Sequence, residues 1–161
     1  YQINIKTNTG YQSTSDWYHL IVAVDTTQGT SSNRIKMYVD GVQITSLAAS
    51  TYPSQNFQTD MSANNLRNIG CEQNSANFID GYLAETVFID GLQLDETSFG
   101  EFNGSGVFVP IDISGLTFGA KGFYFDYKDE NALGNDVSGN NNDYTAVNLT
   151  SGNQSTVTPT S

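Results

Sequence analysis

The chain has 161 residues, a net charge of −11 and an isoelectric point near 4.1. That length suits one domain with a real core, burying roughly 70% of the unfolded surface. The acidity opposes a phosphate backbone, whose affinity comes from Lys and Arg, so nucleic acid is excluded as a partner, and no stretch approaches a membrane-spanning helix.

Charged residues make up only 14% and aromatics reach 12%, a mixture suited to short strands and polar turns rather than long helices. Residues 1–6 alternate through Tyr1, Ile3 and Ile5 and read as a strand. The chain opens inside that run and without Met, which raises the expectation that it is a piece of a longer polypeptide. A polar loop, residues 7–15, leads to Asp16. From Trp17 to Val24 the residues alternate, with Trp17, His19, Ile21 and Ala23 on one face and Tyr18, Leu20, Val22 and Val24 on the other. After a surface loop at 26–33, Ile35, Met37 and Val39 point one way and Arg34, Lys36 and Tyr38 the other, as in a half-buried antiparallel strand. Asp40-Gly41 supplies the positive backbone angles of a two-residue hairpin turn, and Val42 and Ile44 begin the return strand.

Residues 46–65 read as irregular, with Tyr52-Pro53 disfavouring helix. Leu66 to Cys71 reads as a short strand and Gln73 to Asn77 as a turn. Asp80-Gly81 and Asp90-Gly91 are turn signals, with one strand's length between them at Tyr82 to Ile89. Residues 95–100 suggest a single helical turn, acidic at its start and closed by Gly100. Val107 to Ile113 reads as extended, and Gly122 to Lys128 as a strand with Phe123, Phe125 and Tyr127 on one face. After an Asn- and Gly-rich stretch, Tyr144 to Leu149 reads as a last strand before a loose polar tail. The expected class is all-β, an antiparallel β-sandwich or jelly roll with at most one short helical turn. Residues 1–102 form its main part, and residues 103–161 an extension with edge strands and the tail.

Trp17-Tyr18-His19, the Tyr38-Val39-Asp40-Gly41 hairpin, Ile69-Gly70, and Gly81, Leu83 and Glu85 carry a resemblance to the laminin G-like, concanavalin A-like jelly roll. Phe78 is displaced by one residue from that pattern, Leu94 to Phe102 suits the family's short helix, and Asp136 to Asp143 is similar to its Asp-x-Ser-Gly-Asn-x-Asn segment. The wording around Asp16–Gln28, Gly81–Leu92 and Gly134–Tyr144 further resembles segments of bacteriophage virion proteins, especially tail fibres. The strands that usually precede the Trp-x-His strand are largely absent. The resemblance implies a virion-surface or extracellular module whose partners are other virion proteins, or other segments of one longer polypeptide, with a homotrimer by analogy.

Glycoside hydrolases on this kind of jelly roll place carboxylates at alternate positions of one strand, facing the cleft. Here Glu85 and Asp90 are five residues apart and face opposite sides of a regular strand, and Val87 stands where the middle Asp belongs. His19 is the only histidine, has no nucleophile-elbow pattern near it, and reads as a structural imidazole. Lone Cys71 reads as a small buried hydrophobe, and one His with one Cys excludes a zinc site in practice. The chain is accordingly read as non-enzymatic.

No motif demands a cofactor; calcium is the one to weigh, because Asp136, Ser138, Asn140, Asn142 and Asp143 offer oxygens in one loop. Asx side chains also stabilise turns by bonding nearby backbone, and that reading is preferred. Adhesion through a host-surface glycan is the leading functional expectation, with Tyr11, Tyr52 and Phe57 as sugar-contact candidates on polar loops. The same residues serve equally as anchors that pack a loop onto the sandwich. A purely structural or assembly module of a fibre or shell, with no ligand, is the alternative, and a glycoside hydrolase the outside alternative.

Overall fold

The computed structural model describes residues 3–59, 67–72 and 77–155. Its regular structure is antiparallel strand, arranged in small sheets, with almost no helix, and the chain is all-β. The described residues fall into two compact units, one built from residues up to 58 with 91–117, the other from residues 59–90 with 118 onward.

The first unit is organised by the hairpin that the sequence predicts. β2 (Leu20–Val24) pairs with β3 (Ile35–Val39), and β3 with β4 (Val42–Gln43). Asp40 and Gly41 take φ of 49° and 74°, the two positive angles of the tight turn. Asp40 also ties the turn to the neighbouring strand: its N–H donates to the His19 carbonyl (2.9 Å), and its Oδ1 accepts from the His19 N–H (2.8 Å). The regular pairing starts at Leu20, so Trp17, Tyr18 and His19 lie outside the strand expected to include them. A side chain at Gly41 would adopt a backbone angle disfavoured by about 1–2 kcal/mol and would also run into the Phe108 ring. Gly41→Ala is therefore expected to lower the urea midpoint with an unchanged slope, which equilibrium denaturation checks.

The register assigns the faces. Ile21 lies opposite Tyr38 and Ala23 opposite Lys36, so these four share one face. Ile21, Ala23 and Tyr38 form the buried cluster, with Phe99 packed against it. Tyr38, expected on the polar side, is thus in the core; burial, together with the nearby Glu96 and Asp95 carboxylates, pushes its phenol up. The opposite face holds Leu20, Val22, Val24, Ile35, Met37, Val39 and Val42 and has no polar residue. On it Leu20, Val22 and Val42 are 65%, 54% and 58% exposed.

Around this sheet, β1 (Asn4–Thr7) pairs with β5 (Leu47–Thr51), with a register shift between Lys6 and Thr7. β7 (Gly100–Phe102) pairs with β8 (Phe108–Pro110). The loop of that second hairpin is wound on Asn103, whose Oδ1 accepts from Ser105 and Val107 N–H at 2.9 and 3.0 Å. The Arg34 guanidinium fastens the 26–33 loop, donating to the carbonyls of Gln28, Gly29 and buried Pro53. The predicted helical turn is a 3-10 turn at Glu96–Ser98, capped by Asp95, whose side chain accepts from the Thr97 N–H. Two more such turns, Ser31–Asn33 and Ser151–Asn153, exceed the single one expected; the second closes on a reciprocal Thr150–Asn153 capping box.

In the second unit β6 (Thr86–Phe88) pairs with β9 (Phe123–Phe125). Phe118, Phe123, Phe125 and Leu133 are its buried apolar residues. Phe123 and Phe125 stack at 4.5 Å, and Tyr144 meets both at 5.2 and 5.0 Å. Tyr127 departs from the strand at φ 54°, yet its hydroxyl returns to Thr86 at 2.6 Å. Four expected strands are shorter or missing, the Gly122–Lys128 run being regular only at Phe123–Phe125. The Tyr82–Ile89 run is regular only at Thr86–Phe88. Residues 67–71 form no strand and bend at 69–71, tied by the Ile79 N–H donating to the Gly70 carbonyl; Leu66 and most of the 73–77 turn lie outside the described residues. Residues 144–149 do not pair as a strand, because the Tyr144 N–H goes to the Gly134 carbonyl and Asn148 turns away at φ 58°.

Candidate functional site

The loop read as a possible calcium site is a hydrogen-bonded knot against β9. Asp136, only 5% exposed, accepts from the N–H of Tyr124 and Ser138 on Oδ1 and from the N–H of Asn142 on Oδ2, all at 2.9 Å. Asp143 Oδ1 in turn accepts from the Asp136 N–H at 2.8 Å. Asn140 and Asn142 reach the other way. Their side-chain amides donate to the carbonyls of Gly119, Ala120 and Gly122, clamping the turn that leads into β9. The Val137 N–H completes the knot by donating to the Tyr124 carbonyl.

This donor set fits a turn and not a calcium ion. Calcium needs about six to eight oxygens directed at one point. Here the two Asp136 oxygens face N–H donors, and the two Asn side chains present N–H to carbonyls. Among the described residues, no group of three or more His, Cys, Asp and Glu side chains is placed to hold a metal ion. Burial of Asp136 opposes its charge, but the hydrogen bonds from Tyr124, Ser138 and Asn142 outweigh that and hold its pKa below the ordinary carboxylate value.

The three sugar-contact candidates all lie in the first unit. Tyr11, 37% exposed, packs edge-on against Tyr18 at 5.4 Å, and the Tyr18 hydroxyl accepts from the Ser13 N–H. Tyr52 and Phe57 are half-buried on either side of a turn in which the Phe57 N–H reaches the Ser54 carbonyl and Asn56 takes φ 60°. The Tyr11–Tyr18 packing is what an anchoring role requires of Tyr11.

The carboxylates weighed for hydrolysis are engaged in holding the second unit. Glu85 accepts from the Tyr124 hydroxyl at 2.8 Å, and Asp90 Oδ2 from the Lys121 N–H at 3.2 Å. The His19 ring meets the edge of Phe108 at 5.2 Å. Cys71 is a free thiol and half-buried.

A cleft of about 540 Å³ in the second unit combines Gly134, Asn135, Asp143 and Tyr144 of the 134–144 segment with residues that no motif singled out. Leu133, Leu149 and Ala146 supply its apolar surface, Tyr144 an aromatic ring, and Asn135 and Asp143 part of its polar rim. Two turns, closed by Ala132 N–H to Asp129 and Asn135 N–H to Ala132, form one wall, and the Tyr144 N–H to Gly134 bond joins it to the other. For the latter, composition was the one available signal, since Asn and Gly become frequent after residue 131. Compared with family models, curated proteins and solved structures, the chain matches none.

Proposed function

We propose that this chain is a non-catalytic adhesion module of a virion surface, such as a tail fibre, folded as a concanavalin A-like jelly roll and recognising host-surface glycan. The supporting observation is the cleft of the second unit, which combines a tyrosine ring, carboxamides and carboxylates with the apolar side chains of Leu133, Ala146 and Leu149. Sugars call for that combination, because their C–H faces pack on rings and their hydroxyls need fixed hydrogen-bond partners. The β2–β3–β4 hairpin with its Asp40-Gly41 turn agrees with the jelly-roll reading. The structural engagement of Glu85 and Asp90 supports a non-catalytic role. Saturable binding of the full chain on a glycan array is the expected result, and an array with no bound glycan would sink the reading.

A second reading, a purely structural module of a fibre or shell, draws on a different observation. The all-apolar face of the β2–β3–β4 sheet, with Leu20, Val22 and Val42 more than half exposed, is of the kind that neighbouring chains cover. Val22→Asp is expected to leave the melting temperature within about 1–2 °C. It should also reduce any concentration-dependent assembly seen by analytical ultracentrifugation. An unchanged sedimentation profile would remove the support this face gives to the second reading.

A further inference from the structure

We infer that the cleft between the 130–135 turns and the 143–151 segment is a subsite for an uncharged saccharide, an inference that rests on the adhesion reading and narrows it. The lining decides the charge of the ligand. Its ionisable side chains include the carboxylates of Glu130 and Asp143, and it contains no Lys or Arg. An anionic sugar such as a sialic or uronic acid would meet two like charges with no cation to offset them. An uncharged sugar meets acceptors for its hydroxyls instead.

The acceptors and the ring are held before any ligand arrives. Asp143 Oδ1 accepts from the Asp136 N–H at 2.8 Å, which orients the exposed carboxylate and leaves Oδ2 to a hydroxyl. Asp136 is itself buried and fixed by three further N–H donors. Tyr144 is half-buried, with its ring set against Phe123 and Phe125 at 5.2 and 5.0 Å, so its orientation is imposed by the core. The exposed Asn131 and Asn135 sit on the hydrogen-bonded turns of the facing wall and offer both donors and acceptors. A volume of about 540 Å³ lies in the ordinary range for small-ligand sites, and preorganised groups lose little freedom on binding.

The test uses the full chain on an array carrying uncharged hexose and N-acetylhexosamine glycans beside sialylated and uronic-acid glycans, at low and high salt. The expected result is binding confined to uncharged glycans and unchanged by salt, since no ion pair contributes. Ala146→Trp, which fills the cleft from an exposed position, should weaken binding at least tenfold, and Asn135→Ala by a similar factor, while Gln12→Ala, at an exposed position of the first unit, leaves it unchanged. Melting curves identify a variant that fails to fold, and Glu130→Gln then replaces it; it is expected to relax the rejection of acidic glycans. Binding that survives both cleft variants, or that selects acidic glycans, overturns the subsite while the adhesion reading stands. An array with no bound glycan overturns the adhesion reading, and this inference with it.

Discussion

Asp136→Ala is expected to destabilise the second unit by about 2–4 kcal/mol, because it leaves up to three part-buried backbone N–H groups without acceptors, each toward the lower end of the about 1–3 kcal/mol that a buried one costs. The three donors are those of Tyr124, Ser138 and Asn142, and the carboxylate that serves them is 5% exposed. For a chain of this length the melting temperature should fall on the order of 10 °C. Asp136→Asn keeps one oxygen and the shape, so its loss should be smaller. Its diagnostic is pH. Hydrogen bonds to the charged form hold the folded pKa of Asp136 below the ordinary carboxylate value. The resulting stabilisation is fully present above the unfolded pKa of about 3.9 and disappears as pH falls through the lower folded value. Wild-type melting temperature should therefore drop more steeply below about pH 4 than that of Asp136→Asn. Calorimetry between neutral and acid pH measures both effects, and an Asp136→Ala variant that melts with the wild type would show that the knot contributes nothing.

How much of this was legible in the sequence depends on how far apart the interacting groups are. The β2–β3 pair and its turn are local, and alternation plus Asp40-Gly41 determines them. Alternation pointed to the wrong face, because the side that carries Lys36 and Gln43 is the one that is buried; Tyr38 went to the core with Ile21 and Ala23. The Asp, Ser and Asn residues spaced at 136, 138, 140 and 142 signalled turn chemistry. Its targets, Tyr124 and the Gly119–Gly122 carbonyls, lie 12 to 22 residues away and carry no mark of their own. Tyr144 to Leu149 has the composition of a strand, but composition cannot supply a partner, and the Tyr144 N–H is taken by Gly134. The 134–144 segment marked four of the cleft's residues but not the cleft, which arises from two turns and a crossing segment that meet only on folding.

Phe125→Ala carries the other large expected effect, a loss of about 3–5 kcal/mol in the same unit. Phe125 is 1% exposed, stacks on Phe123 at 4.5 Å and meets Tyr144 at 5.0 Å, so truncation opens a cavity lined by rings that also orient the cleft. Phe125→Leu retains most of the volume and should cost about 1.5 kcal/mol or less. Val22→Ala, on a position 54% exposed, should fall within about 0.5 kcal/mol of wild type. Urea denaturation of the three variants reads these differences directly. Both apolar sites are equally hydrophobic in sequence, so a large loss at Phe125 with none at Val22 would separate the surface that folds this chain from the surface it offers outward. Equal losses would mean that the Val22 face is also buried in solution, and the support it gives to the structural-module reading would go.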